Sequence, residues 1–381
     1  MHRMYRIMPA ARQAMGTDTC HGNTIDSVAF THRRRDVPGA RTYRLRSILP
    51  PMAAIRHRRP APAKEEPRDG GIAMTRDVSV IVCTYTFERW DEMTAALDSV
   101  ARQVPPPSEL ILVVDSNPEL LQRAQRELLG ARVIGNAGDR GLSGARNTGL
   151  HAASGEIAAF LDDDAEADPG WLAALVAPYD DERVIATGGK AVPVWETARP
   201  RWMPDEFDWV VGCSYRGLPE GEAEIRNPIG CTMSMRRHAA ADAGGFRTDV
   251  GRVGTLPTGA EETELAIRLR RLHPSSRVVY VPTSTVRHHA SASRARWAYF
   301  QSRCFHEGRS KATLSRLEGT TAGLSAERAY LLRVLPAGVL RGIGQLMRGD
   351  RGGAQRAAAI VAGASITMFG YVSGRIELRG Q

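Results

Sequence analysis

Short apolar runs alternate with helix-like stretches between residues 78 and 161. The apolar runs are typical of buried strands and cover residues 78–83, 110–114, 132–134 and 157–161. The helix-like stretches between them carry helical spacing or a capping residue, and cover residues 89–103, 119–129 and 143–153. Strands that alternate with helices predict an α/β fold, with a mainly parallel sheet flanked by helices. In such folds ligands bind beyond the carboxyl ends of the strands.

Polar residues stand where three of these predicted strands end. Thr84, Asp115 and Asp162 each follow the last apolar residue of a strand, so one crevice is expected to collect them. Arg146 lies in the first turn of a predicted helix that follows the glycine-rich stretch 138–144. Helix N-terminal amides and an arginine suit a pyrophosphate. Asp115 suits a nucleotide base or ribose, and its alternative role is to cap the following turn.

Three consecutive carboxylates, Asp162, Asp163 and Asp164, end the fourth strand. Adjacent like charges repel by about 4 kcal/mol per pair at the effective dielectric constant of a protein surface. A divalent cation removes that repulsion, and hard oxygen ligands suit Mg²⁺ or Mn²⁺. The alternative is a solvated acidic turn. Together with the other strand ends, the triplet indicates a nucleotide–diphosphate ligand and its metal.

Four ordered motifs carry a family resemblance. VSVIVCTYT (residues 78–86), VVDSN (113–117), LSGARNTG (142–149) and FLDDD (160–164) resemble the nucleotide-sugar half of family 2 glycosyltransferases. The resemblance implies a GT-A fold, inversion at the anomeric carbon of the sugar, and Mg²⁺ or Mn²⁺ held by Asp162 and Asp164. Thr86 stands where the first motif of the family usually has Asn.

The resemblance also implies a donor-binding set. Arg146 is expected to support the diphosphate, and Asp162 and Asp163 complete the nucleotide-sugar contacts. The residues expected to hold the nucleoside are Thr84, Tyr85, Arg89 and Asp115. The donor is then a nucleotide-diphosphate sugar, with UDP as the expected nucleotide.

The second half of the chain resembles the acceptor side of the same family. The segments NPIGCTMSMRR (227–237) and GGF (244–246) match, and GAEETEL (259–265) opens a predicted helix. The catalytic base of the family maps onto Glu262, with Glu261 as the second choice. Acids at a helix start also stabilise the helix dipole, which is the alternative explanation for both. GAEETEL and WMPDEFDW (202–209) look most like glucosyl-dolichyl-phosphate glucuronosyltransferases.

His289 follows a late predicted strand, residues 278–281. A histidine after such a strand is a third metal ligand in some GT-A enzymes. The alternative is an ordinary hydrogen-bonded histidine.

Charge divides the chain into three parts. Residues 1–73 carry 14 Lys and Arg against 6 Asp and Glu, residues 74–302 carry 25 against 31, and residues 303–381 carry 12 against 5. The first part is predicted to be a disordered basic extension, with Met74 as a natural start. Residues 74–317 form the predicted glycosyltransferase domain, divided into halves 74–170 and 171–317. An acidic middle argues against a nucleic-acid partner.

The last part, residues 318–381, is predicted to be a helical, membrane-associated tail. Residues 357–374 are uncharged, so they suit an interfacial helix, a weak spanning helix or a packed helix of a soluble protein. The acceptor is then a glycan or a polyprenyl or other lipid-linked sugar, at the cytoplasmic face of the plasma membrane. Without a membrane contact the protein is cytoplasmic. The rival function is a non-catalytic nucleotide-sugar-binding scaffold.

Overall fold

A computed structural model describes residues 76–251, 259–319 and 325–378 of the chain. The predicted N-terminal extension, residues 1–73, and the predicted start at Met74 lie outside the described residues. The described strands are β1 (Val78–Thr84), β2 (Glu109–Val114), β3 (Arg132–Gly135), β4 (Ile157–Asp162), β5 (Ala165–Ala167), β6 (Val184–Trp195), β7 (Ala223–Glu224), β8 (Thr232–Arg236) and β9 (Arg277–Ala290). They form one sheet in the order β3-β2-β1-β4-β8-β6-β9-β5, with β7 paired to β9.

The sheet is mixed but mostly parallel. Strands β3, β2, β1 and β4 run parallel, β8 reverses the direction, and β6 and β9 restore it. Six of the nine described strands therefore share one direction, with β5, β7 and β8 opposed. The helices in the same region are α1 (Trp90–Ala101), α2 (Pro118–Glu127), α3 (Leu142–Ala152), α4 (Trp171–Val176), α5 (Arg237–Asp242), α6 (Glu261–Leu272) and α7 (Trp297–Leu317). The predicted α/β fold class is confirmed.

The central strands are buried on both faces, which explains their uninterrupted apolar sequences. Val80 and Val82 of β1 pack in one apolar cluster with Met93 of α1, and Ile81 packs in the opposite cluster with residues of α3. Helix α3 approaches β1 closely at Gly149, where an added Cβ would lie 2.4 Å from Ile81 Cγ2. This contact fixes the N-terminus of α3 at the carboxyl edge of the sheet.

The C-terminal tail is mostly helical in the part that the structure describes, as predicted. It consists of α8 (Ser325–Ala329), a π-helical turn (Tyr330–Val334), α9 (Leu335–Met347) and α10 (Arg351–Glu377). Helix α10 packs against α7 with the two backbones nearly in contact. An added Cβ at Gly308 would lie 2.1 Å from the Thr367 carbonyl oxygen, and one at Gly370 would lie 2.1 Å from the Phe305 carbonyl oxygen.

Helix α10 is long and apolar enough to cross a membrane, with a mean hydropathy of 1.5 over its most apolar window. A third of that window (33%) is buried inside the protein. The tail also presents large apolar side chains to solvent: Leu331, Leu332, Leu340, Ile343, Leu346, Met347, Val361, Met368, Phe369, Val372 and Ile376. These side chains are called the exposed apolar residues of the tail below.

Candidate active site

One cavity of about 1110 Å³ opens at the carboxyl ends of β1, β2 and β4. The pairing register of the sheet explains why, since Cys83 lies opposite Asp162 and Thr84 lies opposite Val114. The N-termini of α3 and α6 and part of the C-terminal tail complete the wall. The structure brings all but one of the predicted site residues to this cavity, namely Thr84, Tyr85, Arg89, Asp115, Arg146, Asp162, Asp163, Asp164, Glu261 and Glu262.

His289 is the exception, since it does not line this cavity, and its role as a metal ligand stays a prediction. Successive side chains of a strand point to opposite faces. In β9, His288 faces the aspartates while the His289 Nδ1 atom lies 3.7 Å from Glu92. The ligand atoms of Asp162, Asp164 and His288 all lie within 4.8 Å of one another. Two carboxylates and an imidazole form a set of ligands that fits Mn²⁺. The same set can hold Mg²⁺, although Mg²⁺ prefers oxygen ligands to the histidine nitrogen.

Asp164 is held by positive groups on several elements. His288 Nε2 lies 3.2 Å from one carboxylate oxygen, and Arg294 Nη2 lies 3.0 Å from the other. Burial alone would raise the pKa of Asp164, but His288 and Arg294 hold it well below its usual range. Burial alone would likewise lower the pKa of His288, yet Asp164 raises it to about 10. The protonated imidazole of His288 and the Asp164 carboxylate therefore form an ion pair.

Asp163 pairs with Arg89 and is not among the three candidate metal ligands. The Arg89 Nη1 atom donates to Asp163 Oδ1 at 2.7 Å and lies 3.3 Å from Asp164 Oδ2. Burial is the largest cause that raises the pKa of Asp163, to about 6. The Arg89 guanidinium also lies 5.9 Å from the centre of the Tyr85 ring, which is 44% exposed. Asp163 therefore orients Arg89, and Tyr85 presents an open aromatic face.

Asp115 accepts three hydrogen bonds from its surroundings. The donors are the Ser116 hydroxyl at 3.0 Å, the Asn136 side-chain amide at 2.7 Å and the Gly141 backbone N–H at 2.9 Å. Gly141 directly precedes α3 and has a φ of 119°, which favours glycine. Asp115 thus holds the glycine-rich loop in place while its carboxylate still lines the cavity.

Arg146 joins the two halves of the site. Its buried guanidinium donates to Asp162 at 3.2 Å, to Glu261 at 3.0 Å and to the Gly230 carbonyl oxygen at 3.0 Å. The loop before β8 comes close at Gly230, where an added Cβ would lie 3.1 Å from Arg146 Nη2. Arg146 therefore fixes the positions of Asp162 and of the start of α6 relative to each other.

The two glutamates at the start of α6 have different surroundings. Glu261 is buried against Arg146. Glu262 lines the cavity, and burial and then the neighbouring Glu261 charge raise its pKa to about 7. Ala260, directly before them, has a φ of 88°, a strained value for a residue with a Cβ. Such strain is common at functional sites.

Sequence reasoning missed two residues of the metal-side cluster. His288 follows from strand alternation once the pairing of β5 with β9 is known, since Ala165 lies opposite His288. Arg294 lies in the loop between β9 and α7, where no motif or periodicity marked it. Only the folded chain brings that loop to Asp164.

Comparison with known proteins identifies the class. The model of Glycosyl transferase family 2 matches residues 79–244. A glucosyl-dolichyl phosphate glucuronosyltransferase of Haloferax volcanii is 33% identical over 302 residues, which cover 78% of this chain and 96% of that protein. The chain belongs to glycosyltransferase family 2. Within the family it is close to that glucuronosyltransferase group, as the sequence resemblance indicated.

Other relatives are more distant. The succinoglycan biosynthesis protein ExoM of Rhizobium meliloti is 27% identical, with 68% of this chain and 78% of that protein covered. A Pyrobaculum calidifontis mannosyltransferase, solved with GDP-Man and Mn²⁺, has a TM-score of 0.48 and 21% identity, with 77% of this chain and 87% of that chain covered.

Proposed function

We propose that this glycosyltransferase is an inverting, metal-dependent hexosyl- or glucuronosyltransferase. It moves a sugar from a nucleotide-diphosphate donor, UDP-linked, to a hydroxyl of a glycan or lipid-linked acceptor in envelope polysaccharide or glycolipid synthesis. The carrying observation is that Glu262, with its raised pKa, lines the same cavity as the Asp162, Asp164 and His288 cluster. The glucuronosyltransferase relative supports the sugar and acceptor class.

The donor is proposed to lie along the carboxyl edge of the parallel strands. Tyr85 offers an aromatic face to the base, and Thr84 and Asp115 line the nucleoside end. Asp162, Asp164 and His288 would hold Mn²⁺ or Mg²⁺, which when bound would neutralise negative charge on a diphosphate. Arg146, at the N-terminus of α3, supplies a fixed positive charge beside it.

Transfer is proposed to be a single displacement. Glu262 takes the proton of the acceptor hydroxyl while that oxygen bonds to the anomeric carbon, and the bond to the diphosphate oxygen breaks. The nucleoside diphosphate leaves with its electron pair. Attack opposite to the leaving group inverts the anomeric configuration. Glu261 and Arg89 position Arg146 and the aspartates without touching the reacting atoms.

The tail is proposed to attach the enzyme to the cytoplasmic face of the plasma membrane, as a peripheral protein or through one weak membrane segment. Its exposed apolar residues suit the hydrocarbon boundary, and the exposed Arg333, Arg348 and Arg351 suit anionic headgroups. The acceptor is then a lipid-linked sugar that reaches the cavity from this surface.

A donor screen with the purified full chain tests the proposal. UDP-glucuronate, UDP-glucose, UDP-GlcNAc and GDP-mannose are incubated with Mn²⁺ or with EDTA, and sugar transfer to glucosyl polyprenyl phosphate is measured. The expected result is transfer from a UDP-sugar that EDTA abolishes, with inverted anomeric configuration in the product. Donor binding without turnover on any acceptor would instead favour the non-catalytic scaffold.

A further inference from the structure

The cavity continues past Glu262 to a second group of charged side chains that the proposed transfer does not use. We call it the α7 charge cluster: Arg226, Arg303, Glu307, Lys311 and Glu327, all of which line the cavity. Three of these residues, Arg303, Glu307 and Lys311, are spaced four residues apart and so lie on one face of α7. The other two come from the segment before β8 and from α8.

The cluster is closely connected. Arg303 Nη1 lies 2.8 Å from Glu307 Oε2, and Lys311 Nζ lies 3.2 Å from Glu307 Oε1 and 2.6 Å from Glu327 Oε1. Arg226 donates to both oxygens of Glu327, at 2.7 and 3.0 Å. Each of the five side chains is at most 20% exposed.

The cluster carries more positive than negative charge. Burial alone would raise the pKa of Glu307, but Lys311 and Arg303 hold it at about 2, and Lys311 and Arg226 lower that of Glu327. Both carboxylates are therefore ionised, so the cluster itself has three cations and two anions, and the neighbouring Glu262 also acts on Arg303. Guanidinium and ammonium groups bind phosphate oxygens well. A phosphate that enters the cavity therefore meets Arg303 and Lys311 on its wall.

The wall beyond the cluster is apolar and reaches the protein surface. Val334, Leu335 and Ala364 line this end of the cavity, together with Leu331 and Met368. The last two are also 42% and 54% exposed, and they belong to the exposed apolar residues of the tail. The cavity wall is therefore continuous with the exposed apolar surface of the tail. An anion that fits both the cluster and this wall carries a hydrocarbon chain.

We propose that the α7 charge cluster binds the phosphate of a lipid-linked acceptor, with Arg303 and Lys311 at the phosphate oxygens and the lipid chain between Leu331 and Met368. The inference rests on the proposed transfer to a lipid-linked acceptor. Arg303 is close enough to Glu262 for their charges to interact. A sugar on this phosphate would therefore extend toward the proposed base. Arg303 and Lys311 are positioning residues, since they do not touch the reacting hydroxyl.

Binding of three probes to the full chain tests the site, by titration calorimetry below micelle formation. Dodecyl phosphate is expected to bind, inorganic phosphate to bind much more weakly, and dodecyl maltoside to show no saturable binding. Lys311→Met removes a charged partner and should weaken dodecyl phosphate binding about tenfold or more. Lys311→Arg keeps the charge and should stay within about threefold of wild type.

Arg309→Met is the matched control, because Arg309 is a cation on the same helix that pairs with Glu377 and is not part of the cavity wall. It should bind dodecyl phosphate as wild type does. Arg303→Gln is measured in parallel and should also weaken binding, because it removes one of the two cations proposed to contact the phosphate. This variant keeps the test decisive if Lys311→Met does not fold. Equal binding of dodecyl maltoside, or unchanged binding by Lys311→Met and Arg303→Gln, would overturn the inference. UDP binding with Mn²⁺, measured on the same samples, separately tests the proposed transferase function.

Discussion

Replacing Glu262 with Gln removes a carboxylate from the cavity with almost no change in side-chain volume. If Glu262 takes the acceptor proton, the amide cannot, and turnover should fall by about 10²–10⁴, the usual contribution of a general base. Donor affinity should change little, because the proposed donor contacts are at Arg146 and the strand ends. Steady-state turnover with a UDP-sugar and a separate measurement of UDP binding distinguish the two effects.

The pH dependence gives the sharper result. The pKa of Glu262 is raised to about 7, so the carboxyl is protonated and inactive below that value and becomes an active base above it. The kcat/KM of the wild type should therefore rise as the pH increases through about 7. This acidic limb should be absent from Glu262→Gln.

Glu261→Gln is the control, because Glu261 is a neighbouring acid that pairs with Arg146. It should lower donor binding or stability but retain the acidic limb, shifted to lower pH because the Glu261 charge no longer raises the pKa of Glu262. A Glu262→Gln enzyme with wild-type turnover would refute the assignment. A Glu262→Gln enzyme whose kcat/KM still rises through about pH 7, as in the wild type, would also refute it.

Three further predictions concern the metal, the helix packing and the tail. His288→Ala should weaken Mn²⁺ binding by at least about tenfold, whereas His289→Ala should leave it near wild type. Calorimetric Mn²⁺ titration compares the two variants. Weaker binding by His289→Ala than by His288→Ala would contradict His288 as the metal ligand. Gly308→Val should lower the free energy of unfolding by about 3 kcal/mol or more, because the valine side chain would collide with the α10 backbone. Gly344→Ala should not lower it, because the space around Gly344 is open. Unfolding of both variants by denaturant measures the difference. Leu340→Glu should reduce co-sedimentation with anionic vesicles without a change in UDP binding, and equal sedimentation would count against the membrane role.

The sequence by itself determined strands β1 to β4 and the polar residues at the ends of β1, β2 and β4. Strands buried on both faces must be apolar throughout, so β1, β2 and β4 stand out as short uninterrupted runs, and Thr84, Asp115 and Asp162 mark where they stop. Parallel strands bring those ends to one edge whatever the details of packing. The proposed nucleotide-sugar side of the site therefore followed from local sequence.

Only the tertiary structure decided whether His288 or His289 faces the carboxylates at the end of β4. His288 and His289 are adjacent in sequence, and the pairing of β9 with β5 and β6 sets which of them meets Asp164. A shift of one residue in register would exchange them. Local sequence contains no information on that register.

The same reason applies to the groups that come from distant parts of the chain. Arg146 meets Glu261 across 115 residues, and Arg226 meets Glu327 across 101 residues. Burial of an ion pair depends on both partners and on the elements that cover them, none of which a motif records. The carboxylates at the strand ends were therefore predictable, whereas their partners and the α7 charge cluster became evident only in the folded chain.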